Sequence, residues 1–92
     1  MLALSTEAAQ ERLGRLKGWR LEDGKLVKTF EFKHFRESLA FVNRLGAAAE
    51  DAGHHPDIDI RYSRVTLTLS THDVGGLTAK DFDLAAKAEK LV

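Results

Sequence analysis

The chain has 92 residues, with 14 Lys and Arg against 14 Asp and Glu, four histidines and no cysteine. At about 100 to 200 residues per domain, this length predicts a single domain over residues 1–92. The lack of cysteine excludes disulfides, thiolate metal sites and a cysteine nucleophile, and it fits a reducing cytoplasm. Any catalytic chemistry must therefore come from other side chains.

The distribution of charge and hydropathy also limits where the protein acts. The N-terminal residues show no basic stretch followed by an apolar run, which predicts no signal peptide. No segment approaches the roughly 18 apolar residues of a membrane span. Basic and acidic residues alternate, without the clustered basic face of a nucleic-acid-binding protein. We therefore expect a cytoplasmic protein that binds neither membranes nor nucleic acid directly.

The first third of the chain predicts a short helix followed by a β-hairpin. Ser5 is a suitable N-cap for a helix that ends at Gly14 or Gly18. Asp23-Gly24 then favours a tight turn, because both residues tolerate positive φ. The strands flanking this turn are predicted at 19–22 and 25–32.

The middle of the chain predicts a longer amphipathic helix that ends near Gly53. Apolar residues recur there at spacings of four, three, three and four, which is typical of an inward helix face. They are Phe35, Leu39, Val42, Leu45 and Ala49. A second stripe, expected to face outward, consists of Phe41, Ala48 and Ala52.

A second hairpin follows, in which apolar and polar residues alternate along both strands. If Ser63-Arg64 forms the turn, residues whose numbers sum to 127 face each other, and every apolar residue meets an apolar one. The pairs are Tyr62 with Val65, Ile60 with Leu67, and Ile58 with Leu69. A longer loop stays open as an alternative, because Ser-Arg is not a preferred turn pair.

A last helix is predicted after Thr78, which with Asp81 has the spacing of a capping box. The predicted order of elements is therefore α-β-β-α-β-β-α. Two hairpins separated by helices, with strands apolar on one face, predict an α+β fold. We expect a four-stranded antiparallel sheet with the helices packed on one face.

Three of the four histidines are predicted to converge at the end of the second hairpin. Extending the register of 127 places His72 opposite His55, with His54 adjacent. Pro56 biases His55 toward an extended backbone, and Glu50 lies one helical turn before His54. Because histidine has an ordinary pKa near 6.5, several imidazoles can share proton donor and acceptor roles at neutral pH.

Simpler interpretations compete with a catalytic one. A single histidine near a strand end is usually a polar surface residue, Asp81 could serve only as a helix cap, and Trp19 could be core packing. The three histidines could also bind zinc, as in three-histidine catalytic sites. Adjacent histidines rarely point at one ion, however, and the helical H-E-x-x-H spacing is absent. We therefore favour acid–base chemistry without a metal.

At these residues the sequence resembles the pterin-4-alpha-carbinolamine dehydratase family, over nearly the whole chain. The resemblance is carried by Glu50-x-x-x-His54-His55-Pro56, Tyr62-x-x-Val65 and Thr71-His72-Asp73-x-x-Gly76-Leu77-Thr78-x-x-Asp81. Trp19 and the segment Phe30-x-Phe32-x-x-Phe35 also match in kind and position.

The resemblance implies dehydration of a 4a-hydroxytetrahydropterin to the quinonoid dihydropterin, with no redox cofactor and no metal. It implies that His54, His55 and His72 form the acid–base set, with Glu50 and Asp81 orienting them. Substrate contacts are expected from Pro56, from Trp19, and from the segment Ser70, Thr71, His72 and Asp73.

The resemblance also implies that the chain associates with copies of itself as a homodimer or homotetramer. It further implies a functional link to an aromatic-amino-acid hydroxylase. Two alternatives stay open: a dimerisation cofactor of a transcription factor, as the animal members are, and a pterin-binding module without turnover.

Overall fold

The structure is a computed structural model, and it describes residues 2–92. Three helices and four strands follow one another as α-β-β-α-β-β-α, which confirms the predicted order. They are α1 (Thr6–Leu13), β1 (Arg20–Glu22), β2 (Lys25–Glu31), α2 (Phe35–Ala52), β3 (Asp57–Arg61), β4 (Arg64–Leu69) and α3 (Ala79–Leu91). A short 3-10 helix, His72–Val74, lies between β4 and α3. Among the helices of residues 2–92, none has the length and apolar character that crossing a membrane requires.

The four strands form one antiparallel sheet in the order β1-β2-β4-β3, as predicted. The central strand β4 presents Val65, Leu67 and Leu69 to the core, where each is at most 1% exposed. The helices cover this face, and their apolar residues join the same buried cluster. Polar residues alternate with the buried ones along β4, so the opposite face carries threonines such as Thr66, which hydrogen-bonds Thr29 of β2 at 2.8 Å.

The first hairpin forms as the sequence predicts. Glu22 pairs with Lys25, and Asp23 and Gly24 occupy the two turn positions between them. Both turn residues have positive φ, 53° and 73°. This is the backbone twist of a type I′ turn, which Asp-Gly adopts at low cost.

The predicted register of the second hairpin is wrong by two residues. Arg61 pairs with Arg64, so Tyr62-Ser63 is the turn and paired residue numbers sum to 125. The alternation of apolar residues has a period of two, so it cannot distinguish registers that differ by two. Tyr62 adopts a φ of 54° at the turn and is 68% exposed. Ile58 therefore lies opposite Leu67.

The predicted inward face of α2 is also displaced. Phe35 and Leu39, expected inside, are 44% and 39% exposed, whereas Phe41, expected outside, is fully buried. Phe41 contacts Phe30 and Phe32 of the sheet side, with ring centroids 4.8 and 5.3 Å apart. The buried positions of α2 are Ser38, Phe41, Leu45 and Ala49.

The displacement has a simple physical reason. The inward face includes Ser38, and the spacing of apolar residues places a serine on the outside. In the observed rotation of α2, the large Phe41 ring is fully buried. The free energy gained by burying this ring exceeds what either Phe35 or Leu39 loses by being partly exposed. Of the other two residues expected outside, Ala52 is exposed and Ala48 is half-buried.

The buried serine of α2 leads to a stability prediction. Ser38 Oγ is fully buried and has no hydrogen-bond partner among residues 2–92. Because a buried unpaired hydroxyl carries a desolvation cost, Ser38→Ala should raise the free energy of unfolding by about 1 kcal/mol. Urea denaturation measures the change. Ala49→Ser, which adds a hydroxyl on the same face, is the matched control and should lower stability. A less stable Ser38→Ala protein would contradict the prediction.

Lys28, the polar exception on the apolar face of β2, has partners that explain it. Its ammonium group donates to Glu89 Oε2 of α3 at 2.7 Å and to the Lys17 carbonyl at 3.0 Å. Trp19 Nε1 donates to the same Glu89 oxygen at 3.0 Å. These hydrogen bonds connect the segment before β1 with the sheet and with α3.

Candidate active site

The end of α2 fixes the backbone position of His54. Gly53 adopts the left-handed conformation at φ 63°, and its N–H donates to the Glu50 carbonyl at 3.1 Å. The N–H of His54 donates to the Ala49 carbonyl at 3.1 Å. This pair of bonds is a common way to end a helix, and it favours glycine at the left-handed position. His54 therefore leaves the helix in a defined direction.

This helix end can be tested with two glycine-to-alanine substitutions, one at the residue that ends α2 and one inside the helix. Gly53→Ala should lower the free energy of unfolding by about 1 kcal/mol, because a Cβ disfavours the left-handed conformation. Gly46→Ala, inside the helix, should raise it by about 0.5 to 1 kcal/mol, since a Cβ there meets nothing within 4 Å. Thermal or urea unfolding of both variants gives the comparison. Equal effects of the two substitutions would contradict this account of the helix end.

His54 is held by a buried carboxylate. Its Nε2 lies 2.6 Å from Asp81 Oδ1, and Asp81 is fully buried at the start of α3. The other carboxylate oxygen, Oδ2, accepts from Thr71 Oγ1 at 2.8 Å and from the Thr78 N–H at 3.0 Å. The predicted capping box of Thr78 and Asp81 is present. Asp81 thus caps α3 and orients an imidazole with the same side chain.

His55 has a different environment from its neighbour. Its Nε2 lies 2.5 Å from Glu50 Oε1, but both side chains are exposed, at 60% and 76%. Pro56 is half-buried and leads directly into β3. A solvent-exposed pair of this kind is screened and contributes little to stability. Glu50 therefore orients His55 less rigidly than Asp81 orients His54.

The segment after β4 carries the third histidine. The N–H of Thr71 donates to the Gly76 carbonyl at 2.8 Å, which closes a loop around the 3-10 helix. The Thr71 side chain is buried against Asp81, whereas His72 and Asp73 are exposed. Ser70, Thr71 and His72 line an open pocket of about 540 Å³, together with the N-terminal segment and the β1–β2 turn.

A second pocket, of about 280 Å³, lies beside His54. It is lined by Ala52, His54, Lys80, Asp83, Leu84 and Lys87. The hydrogen bonds from His54 through Asp81 to Thr71 connect a residue of this pocket with a residue of the larger one. The structure thus joins His54, Asp81 and Thr71 in one network. No side-chain hydrogen bond within residues 2–92 joins His72 to His54 or His55.

Two sequence predictions about the site need correction. The expected placement of His72 opposite His55 depended on the register of 127, which is not the observed one. Trp19 lies in the core, 6% exposed, with its ring 5.9 Å from Phe30, and it lines neither of these two pockets. Its indole N–H is satisfied by Glu89, which draws the ring toward α3.

Two of the histidines considered as zinc ligands have separate partners. Within residues 2–92, no group of three or more His, Cys, Asp or Glu side chains is arranged to hold a metal ion. The Nε2 atoms of His54 and His55 point at separate carboxylates, Asp81 and Glu50. Each of these two carboxylates orients its own imidazole.

Two contributions to the candidate site are not evident from the sequence. Thr78 was identified only as a helix cap, yet its hydroxyl also contacts Thr71 at 2.8 Å. Lys80 and Lys87 line the pocket beside His54. The Thr-x-x-Asp spacing signalled the cap, but nothing in a linear pattern indicates a contact with a residue seven positions earlier.

Comparison with known proteins places this geometry in a family. Residues 2–91 match the family model described as pterin 4 alpha carbinolamine dehydratase. The chain belongs to this family. A relative from Acidobacterium capsulatum that carries the family name is 52% identical over 92 residues, covering all of both chains. One from Roseiflexus castenholzii is 53% identical over 93 residues, again with full coverage of both.

Solved structures of the dehydratase family and its relatives share the fold. A Brucella melitensis protein described as a transcriptional coactivator/pterin dehydratase has a TM-score of 0.94 and 32% identity, covering 97% of each chain. A pterin dehydratase-like protein identified as a RuBisCO assembly factor in the α-carboxysome has a TM-score of 0.67 and 27% identity, covering 79% of this chain and 84% of its own. The resemblance first drawn from the histidine motifs is therefore confirmed at the level of family and fold.

Proposed function

We propose that this dehydratase-family member converts a 4a-hydroxytetrahydropterin into the quinonoid dihydropterin and water. The observation that best supports acid–base catalysis is the buried pair of His54 Nε2 and Asp81 Oδ1, 2.6 Å apart beside a pocket. A carboxylate that fixes an imidazole in one orientation, with the other ring nitrogen left for a substrate, is a recurrent arrangement for general acid–base catalysis.

The proposed reaction needs two proton transfers and no change of oxidation state. The C4a–O bond breaks, and the leaving hydroxyl takes a proton from an acid to become water. The N5–H bond gives its proton to a base, and the electron pair left on N5 forms the C4a=N5 double bond. Each transfer needs a group that titrates near neutrality within hydrogen-bond reach, and such a group typically contributes about 10²- to 10⁴-fold in rate. The overall reaction consumes no oxidant or reductant.

We assign the acid–base roles to His54, His55 and His72. Asp81 orients the first and Glu50 the second, as their hydrogen bonds indicate. His72 lines the larger pocket next to Ser70 and Thr71. The remaining proposed substrate contacts are Pro56, Ser70, Thr71 and Asp73.

The test is spectrophotometric dehydration of the carbinolamine by the purified protein, beside the double variant His54→Ala/His72→Ala. The proposal predicts turnover well above the uncatalysed rate for the unmodified chain and near that rate for the double variant. Equal rates for the two proteins would contradict it. If the protein formed a stable complex with another protein and showed no turnover, the interaction role would replace the dehydratase proposal. We place the reaction in the cytoplasm, in support of an aromatic-amino-acid hydroxylase that consumes the regenerated pterin.

We also propose that the chain associates with copies of itself as a homodimer or homotetramer. Phe35 and Leu39 lie one turn apart on α2 and expose 44% and 39% of their surface. Strand β3 is at the edge of the sheet, where its backbone can pair with another strand, and Ile58 on it is 37% exposed. These exposed apolar side chains and the unpaired edge of β3 are the surfaces that the proposed association would cover.

Association can be measured by sedimentation velocity. Leu39→Glu should shift the protein toward a smaller species, because a charge on an apolar contact surface opposes its burial. Ala40→Glu, at an exposed position on a different side of α2, is the control. A monomer at all concentrations of the unmodified chain would contradict the proposal.

A further inference from the structure

We propose that Thr78 positions His54, through Thr71 and Asp81, in the tautomer that carries its proton on Nε2 and leaves Nδ1 as the reactive nitrogen. The catalytic consequence rests on the proposed dehydratase function. The tautomer itself does not, since it follows from the hydrogen bonds of the folded chain. Thr78 acts here as a positioning residue.

The direction of each hydrogen bond follows from the number of protons available. A threonine hydroxyl has one proton to donate. Thr71 Oγ1 gives its proton to Asp81 Oδ2 at 2.8 Å. The contact of 2.8 Å between Thr71 Oγ1 and Thr78 Oγ1 therefore requires Thr78 to donate. Thr78 Oγ1 in turn accepts from the N–H of Lys80, at 3.3 Å.

These bonds fix the Asp81 carboxylate. Its Oδ2 accepts from both the Thr71 hydroxyl and the Thr78 N–H, so the carboxylate group cannot rotate without losing two buried hydrogen bonds. Its Oδ1 is thereby held 2.6 Å from His54 Nε2. A carboxylate only accepts, so His54 must supply the proton from Nε2. In a neutral imidazole the other nitrogen, Nδ1, then has a free lone pair.

The free nitrogen belongs to a side chain that lines the 280 Å³ pocket. Nδ1 of His54 has no hydrogen-bond partner within residues 2–92, and it is not among the buried unpaired atoms found there. The same hydrogen-bond network also includes the residue directly before His72, which is Thr71. One network thus sets the proton position of His54 and anchors the loop that carries the third histidine.

The experiment compares three variants. Thr78→Val removes the hydroxyl and keeps the shape, and Thr78→Ser keeps the hydroxyl. Ala86→Gly weakens the same helix at an exposed position away from the network, which controls for the helix-capping role of Thr78. The readouts are the ¹⁵N signals of the His54 ring at a pH where it is neutral, assigned with His54→Gln, and kcat and KM for the carbinolamine.

We expect His54 of the unmodified chain, of Thr78→Ser and of Ala86→Gly to be protonated on Nε2. Thr78→Val removes the donor that fixes the Thr71 hydroxyl, so Thr71 holds the Asp81 carboxylate less rigidly. His54 should then show a mixture of tautomers, with kcat lowered about tenfold, as loss of one hydrogen bond would give, and KM little changed. A His54 protonated on Nδ1 in the unmodified chain would overturn the inference. So would a normal tautomer and kcat in Thr78→Val, or an equal loss of kcat in Ala86→Gly. The predicted tautomers without any dehydratase turnover would support the positioning network and refute the proposed function.

Discussion

Asp81→Ala should lower the free energy of unfolding by about 3 kcal/mol, since it removes the partner of several buried groups at once. The fully buried carboxylate accepts hydrogen bonds from His54, Thr71 and the Thr78 N–H. Alanine would leave these donors without partners and would also remove half of the capping box of α3. For a domain of this size, with a total stability of about 5 to 14 kcal/mol, the loss is a large fraction.

Urea denaturation of Asp81→Ala beside Asp83→Ala measures this effect. Asp83 lies two residues further along α3 and is exposed, and its side chain forms no hydrogen bond or ion pair within residues 2–92. Its substitution should change stability by less than about 0.5 kcal/mol. If the two variants were equally stable, the buried carboxylate would not have the structural role assigned to it.

His54→Gln should have the largest effect on turnover among single histidine variants, a fall in kcat of about 10²-fold or more. Glutamine can still reach Asp81 with its amide, so the fold is expected to persist, but it cannot exchange a proton near neutral pH. His55→Gln should lower kcat less than His54→Gln does, because the Glu50–His55 pair is exposed and less rigidly held.

His34→Gln is the control for these activity measurements. His34 is exposed at the start of α2, and its side chain forms no cap hydrogen bond. Steady-state kinetics with the carbinolamine should give an unchanged kcat for this variant. A His54→Gln protein as active as His34→Gln would show that His54 takes no part in the chemistry.

The element order and the faces of the strands were predictable because they depend on local signals. Asp23-Gly24 determined one turn, and the Thr78-x-x-Asp81 spacing determined the start of α3. The register of the second hairpin was not predictable, since alternation with a period of two is satisfied equally by registers of 125 and 127. Only the turn at Tyr62, with its positive φ, separates the two, and tyrosine does not signal such a turn.

The candidate site residues could be proposed from their types and spacing, but several of their contacts could not. The motif proposed His54, His55 and His72 as the acid–base set, and in the structure Asp81 hydrogen-bonds the first of them and Glu50 the second. The role of Thr78 depends on a contact between two loops, and the inward position of Ser38 depends on how α2 rotates against the sheet. These features depend on tertiary packing, which no periodic pattern in the sequence indicates.

A crystal structure with a bound dihydropterin analogue would test the central claim most directly. The account predicts that C4a and N5 of the pterin lie within hydrogen-bond or one-water reach of the His54, His55 and His72 imidazoles. It also predicts that the pyrimidine edge contacts the backbone of Ser70 to Asp73. A pterin bound away from His54, or one that contacts none of the three histidines, would contradict it.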